Sequence, residues 1–149
     1  MTPTLKEIIE KCDKLRILEK RHVTDSSCEL VFSDDKSKNL NDVFTDILGF
    51  AVKPMWRKPS GYDKRLTRKF GGIQQHQQLF AKKFDTVTIV AMFRPWQGRT
   101  HVTVKLAILD NADIEKKYTI SDALRTALMR FFTAINEILS EIIEKLSNN

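Results

Sequence analysis

Thr86-Val-Thr-Ile-Val-Ala-Met-Phe-Arg94 and Thr100-His-Val-Thr-Val-Lys-Leu-Ala-Ile-Leu109, joined by Pro95-Trp-Gln-Gly-Arg99, are the two runs on which the fold turns. Both are rich in β-branched residues and alternate with the period of a strand, and a glycine-containing segment separates them, so together they predict a β-hairpin. Setting Arg94 opposite His101 fixes every later pair. One face then carries Val87, Ile89, Ala91, Phe93, Val102, Val104, Leu106 and Ile108 without interruption. The other carries Thr86, Thr88, Val90, Met92, Arg94, His101, Thr103, Lys105, Ala107 and Leu109. A preceding strand over residues 77 to 84 joins through a turn at Asp85-Thr86 and brings Phe80 and Phe84 to the apolar face. Further back, Glu29-Leu-Val-Phe32 reads as a short additional strand.

Helices flank this sheet. Over residues 4 to 20, Leu5, Ile8, Ile9, Cys12, Leu15 and Leu18 recur at helical spacing, with Thr2 or Thr4 as the cap. A second helix over 40 to 48 starts at Asn39 and stops at Gly49. A short third one over 62 to 70 has Ser60 as its cap and Gly71-Gly72 as its stop. The last runs from about 121 to 147. Leu124, Leu128, Phe131, Ile135, Ile138 and Ile142 step by four and three, the spacing of a heptad seam. A second seam of Met129, Phe132, Leu139, Ile143 and Leu146, interrupted by Asn136, runs beside it. The expected fold is α+β: an antiparallel three- to four-stranded meander packed against helices, with a long C-terminal amphipathic helix, all in one domain over residues 1–149. That packing places Phe131 in the core with Ile89, Phe93, Val102 and Leu106.

The 149 residues and 42% hydrophobic content suit one globular domain. No apolar run approaches the roughly 18 residues of a membrane span, and Met1-Thr-Pro-Thr-Leu-Lys-Glu7 does not read as a secretory signal. A cytoplasmic protein with Cys12 and Cys28 as reduced thiols is the expectation.

The chemistry-bearing motifs of catalysis are missing. There is no Gly-x-Gly-x-x-Gly, Walker loop, His-Glu-x-x-His or Gly-x-Ser-x-Gly. Lys105 on a strand evokes a nuclease Glu-x-Lys, but position 103 is a threonine, so an acid that metal binding needs is missing. His22, His76 and His101 are scattered, and for each a solvated or structural role outweighs a chemical one. Neither a catalytic set, a metal site nor a cofactor is expected. The weakest reading kept is a small enzyme that uses His101 with Arg94 or Lys105 in a pocket on the open sheet face.

Charge supplies the positive signal. The chain carries +6, yet residues 53 to 105 hold Lys53, Arg57, Lys58, Lys64, Arg65, Arg68, Lys69, Lys82, Lys83, Arg94, Arg99 and Lys105 against only Asp63 and Asp85. Both tryptophans lie in this segment, in Lys53-Pro-Met-Trp56-Arg-Lys-Pro59 and Arg94-Pro-Trp96-Gln-Gly-Arg99. Cations bind phosphates and carboxylates, and indole rings stack on bases or fill partner pockets. The leading expectation is therefore a non-enzymatic binding domain for an anionic partner, nucleic acid first. Its surface comprises Lys53, Trp56, Arg57, Lys58, Lys64, Arg65, Arg68, Lys69, Arg94, Trp96, Arg99, His101 and Lys105. The alternative is an adaptor or assembly subunit for an acidic protein, a partner helix or a second copy. In that case Met129, Phe132, Asn136, Leu139, Ile143 and Leu146 form the interface.

Overall fold

The computed structural model describes residues 1–147, without the side chains of residues 116–122. Met1–Ile114 forms one compact unit, and the chain from Glu115 onward forms a second.

The first unit is built on a five-stranded sheet. Its strands are β1 (Glu19–Arg21), β2 (Ser27–Ser33), β3 (Gln78–Lys83), β4 (Val87–Pro95) and β5 (His101–Asp110). They lie in the order β1-β2-β5-β4-β3, and every pairing is antiparallel. The α+β class stands, with five strands where the sequence pattern gave three to four. The added strand is β1, whose residues Glu19, Lys20 and Arg21 show no apolar alternation. An edge strand needs none, and its charges discourage pairing with another chain.

The same stretch explains why the first helix is short. Helix α1 (Leu5–Asp13) opens on a capping box: the Thr4 hydroxyl accepts from the Glu7 N–H while the Glu7 carboxylate accepts from the Thr4 N–H. Leu5, Ile8 and Cys12 are buried. The chain then leaves the helix through Arg16, at φ 61° in the left-handed region, and Leu18 donates its N–H to the Val31 carbonyl of β2. Backbone pairing with β2 has taken residues that apolar spacing assigned to a helix.

The hairpin of β4 and β5 pairs Arg94 with Thr103 and Pro95 with Val102. The expected partner of Arg94 was His101, so the ladder is displaced by two residues. At the tip the Arg99 N–H donates to the Trp96 carbonyl, and Arg99 adopts φ 50°, which moves the centre of the turn one residue along. Because side chains alternate with period two, a two-residue displacement leaves both faces unchanged. Ile89, Ala91, Phe93, Val102, Val104 and Leu106 accordingly join the main core with residues of α1, β2 and α2 (Ser37–Leu48). Phe44 of α2 stands edge-on to Phe93 at 5.3 Å, and Phe80 lies 5.3 Å from the same ring.

The opposite sheet face is covered too. Helix α3 (Gly61–Thr67) begins with a second capping box between Ser60 and Asp63, and the chain turns at Gly71 with φ 85°. Leu66 and Ile73 pack with Leu79, Val90, Met92, Ala107 and Leu109 in a second buried cluster. The face expected to be open thus carries a core of its own. Cys12 and Cys28 are free and buried, and burial pushes their thiols up to about 12 and about 11.

Helix α4 (Asn111–Ser147) begins ten residues before the position that apolar spacing indicated. Its first residue is buried: the Asn111 side chain accepts from the Thr88 hydroxyl at 2.6 Å and donates to the Phe84 carbonyl at 2.9 Å. Further along, Leu124, Leu128, Met129, Phe131, Phe132, Ile138, Leu139, Ile142, Ile143 and Leu146 are exposed. Phe131, which the heptad spacing placed in the core, is 61% exposed. No helix among the described residues is long and apolar enough to cross a membrane.

Candidate functional site

A buried lysine organises the loop that bears Trp56. Lys53 is fully buried and forms an isolated bridge with Leu79 of β3. Its ammonium donates to the carbonyls of Pro54 at 3.2 Å and Gln75 at 3.0 Å, and also to that of Gln77. Desolvation lowers its pKa from the usual lysine value. Lys53 therefore ties the loop containing Trp56 to the segment before β3, and presents no charge to a ligand. Reciprocal bonds tighten the same contact: the Trp56 N–H donates to the Gln75 carbonyl at 2.8 Å, and the Gln75 amide donates to the Trp56 carbonyl at 3.1 Å.

Trp56 itself is 61% exposed and adopts φ 68°. A bulky residue in the left-handed region is strained, and such strain is held in place only by the surrounding bonds. Its ring centroid lies 6.5 Å from that of His76. Trp96, at the hairpin tip, is 41% exposed. Its indole N–H donates to the Thr103 hydroxyl at 2.9 Å, and its ring lies 4.8 Å from that of His101. This contact makes His101 a support for the indole.

The two tryptophans line one cleft of about 550 Å³, together with Asp34, Ser37, Asn41, Met55, His76, Gln78, Phe93, Pro95, Gln97, Arg99 and Val102. Apolar walls from Phe93, Val102, Met55 and the indoles meet a polar fringe of Asn41, His76, Gln78 and Gln97. Its charged side chains are Arg99 and Asp34, and Asp34 accepts from the Ser37 hydroxyl at 3.2 Å. Both Trp56 and Arg99 have positive φ, so two of the four such non-glycine residues among the described residues border the same cleft. The cleft thus combines aromatic and apolar side chains with polar groups, and among the described residues Arg99 is its one cation.

The other basic residues fall elsewhere. Lys64, Arg65, Arg68 and Lys69 belong to α3 and the turn after it, and none of them lines the cleft. Arg65 stands over the Tyr62 ring at 5.6 Å, and Lys69 pairs with Asp113 at 3.4 Å. Arg57 donates to the Val52 carbonyl and pairs with the buried Asp63 carboxylate at 3.0 Å. Lys58 is exposed beside Arg57. Arg94 donates to the carbonyls of Phe70 at 2.7 Å and Gly72 at 3.0 Å, and desolvation lowers its pKa. Lys105 pairs with Glu29 at 2.6 Å. Arg94 and Lys105 are thus occupied by structural partners, and His101 by Trp96. Among the described residues no three His, Cys, Asp or Glu side chains are grouped to hold a metal ion.

Sequence reasoning found the two tryptophans and Arg99 but missed Asn41, Met55, His76 and Gln78. Those four come from α2, a loop, the segment before β3 and β3 itself, and only the tertiary fold brings them together. No protein-family model, curated protein or solved structure matches this chain.

Proposed function

We propose that the protein is a non-enzymatic binding domain for single-stranded nucleic acid, which takes bases between Trp56 and Trp96. The convergence of the only two tryptophans of the chain on one cleft carries this reading. Base–aromatic stacking tolerates any sequence because every base has a π-face. Arg99 at the cleft and Lys58 close to Trp56 supply the cations for flanking phosphates.

Tryptophan emission reports directly on the site. Titration with a mixed single strand quenches it, with an affinity that falls steeply as salt rises. Trp56→Ala and Trp96→Ala each weaken binding by about 1–3 kcal/mol. Duplex of the same composition binds less tightly, because its bases stay stacked on one another. An acidic protein partner keeps the salt dependence but shows no preference for exposed bases. If neither strand form changes the emission at low salt, nucleic acid is the wrong ligand.

A further inference from the structure

We propose that two copies of this chain associate by pairing their α4 helices antiparallel, through Leu124, Leu128, Phe131, Ile135, Ile138 and Ile142. Five of these side chains are exposed and Ile135 is half-buried, although their spacing is that of a helix–helix seam. A contiguous apolar stripe of this length on a helix is a contact surface by composition. The seam is complementary to itself. With Phe131 set opposite Ile135 of the second copy, Leu128 faces Ile138 and Leu124 faces Ile142, so every layer is apolar and each joins an isoleucine to a leucine or phenylalanine. Phe132 and Leu139, one step around the helix, flank that seam and are covered by the same pairing.

Charge selects the orientation. Arg125 and Arg130 lie in the first half of the seam, whereas Glu137, Glu141 and Glu144 outweigh Lys145 in the second. Antiparallel pairing sets the basic half of each helix against the acidic half of the other. Parallel pairing sets like against like, and places Lys145, the next seam position after Ile142, beside its own copy. The occupant is therefore a second α4 running in the opposite direction. This inference does not depend on what the tryptophan cleft binds.

The full-length chain tests it in two ways. Light scattering over a concentration series gives the mass of two chains, and Leu128→Asp or Ile138→Asp returns it to one while the Trp56 and Trp96 emission stays unchanged. Spin labels on one introduced cysteine, with the native Cys12 and Cys28 buried, then read the orientation. Labels replacing Thr133, at the centre of the pairing, have no axial offset between copies. Labels replacing Ser147 are offset by roughly 42 Å along the axis, at about 1.5 Å per residue. A single-chain mass at every concentration overturns the proposal. So do equal label separations at the two sites, or a two-chain mass that survives both substitutions. If the aspartate variants fail to fold, the label distances in the otherwise wild-type chain decide it.

Discussion

Lys53 shows why a basic residue in a basic segment is not thereby a ligand-binding residue. Sequence offers a lysine near a tryptophan, and the fold uses its ammonium to satisfy three backbone carbonyls of the loop and of the segment before β3. Charge-assisted bonds of this kind replace part of the hydration that burial removes. Lys53→Met keeps the apolar stem and deletes the donor. We expect a stability loss of about 1–3 kcal/mol for each carbonyl left buried without a donor, read by denaturant unfolding. The emission of Trp56 should shift in the same variant, because its backbone is held by the segment that Lys53 anchors. An unchanged midpoint and unchanged emission would mean that the loop is held by the Gln75 bonds alone.

The legibility of each element follows from the period it displays. The hairpin was readable to the level of faces because strand alternation survives an even displacement, while its exact pairing depended on the backbone of Arg99, which sequence does not show. Strand β1 was unreadable because three charged residues carry no pattern. Helix α3 was readable from its Ser60 cap and its Gly71-Gly72 stop, although its final turn is a tighter 3-10 turn. The centre of the sheet gives the firmest test at this scale. Leu106 is 1% exposed on the main core face, opposite Ala91 and Cys28. Leu106→Ala should cost about 2–5 kcal/mol in a denaturant melt. A cost below about half a kcal/mol would be too small for a buried leucine of this kind, and would contradict the observed face.

At the scale of the whole chain, two independent surfaces emerge from one sequence: a cleft in the first unit and an apolar seam on α4. The first unit closes two cores of its own, on either side of its sheet. A chain ending at Ile114 should therefore stay folded, keep the tryptophan emission of the full-length protein and retain its ligand affinity. Loss of near-ultraviolet circular dichroism in that fragment would show that the first unit needs the remainder of α4. The pattern of what sequence revealed is physical here too. Residues that act through local spacing, such as the seam of α4, are visible directly, whereas the cleft gathers Asn41, Trp56, His76 and Trp96 from separate elements and is visible only once the sheet is formed.

The sheet order also governs how the chain comes together in time. Strand β5 pairs with β4 across a short turn, but on its other side it pairs with β2, whose residues Ser27 to Ser33 meet Ala107 to His101. During synthesis, roughly 70 residues must follow β2 before that ladder can form, an interval on the order of 4 to 14 s at ribosomal rates. Throughout it Leu30 and Phe32, both fully buried in the finished fold, wait without their neighbours on β5. Apolar surface and strand edges left exposed in this way are open to aggregation and to chaperone capture.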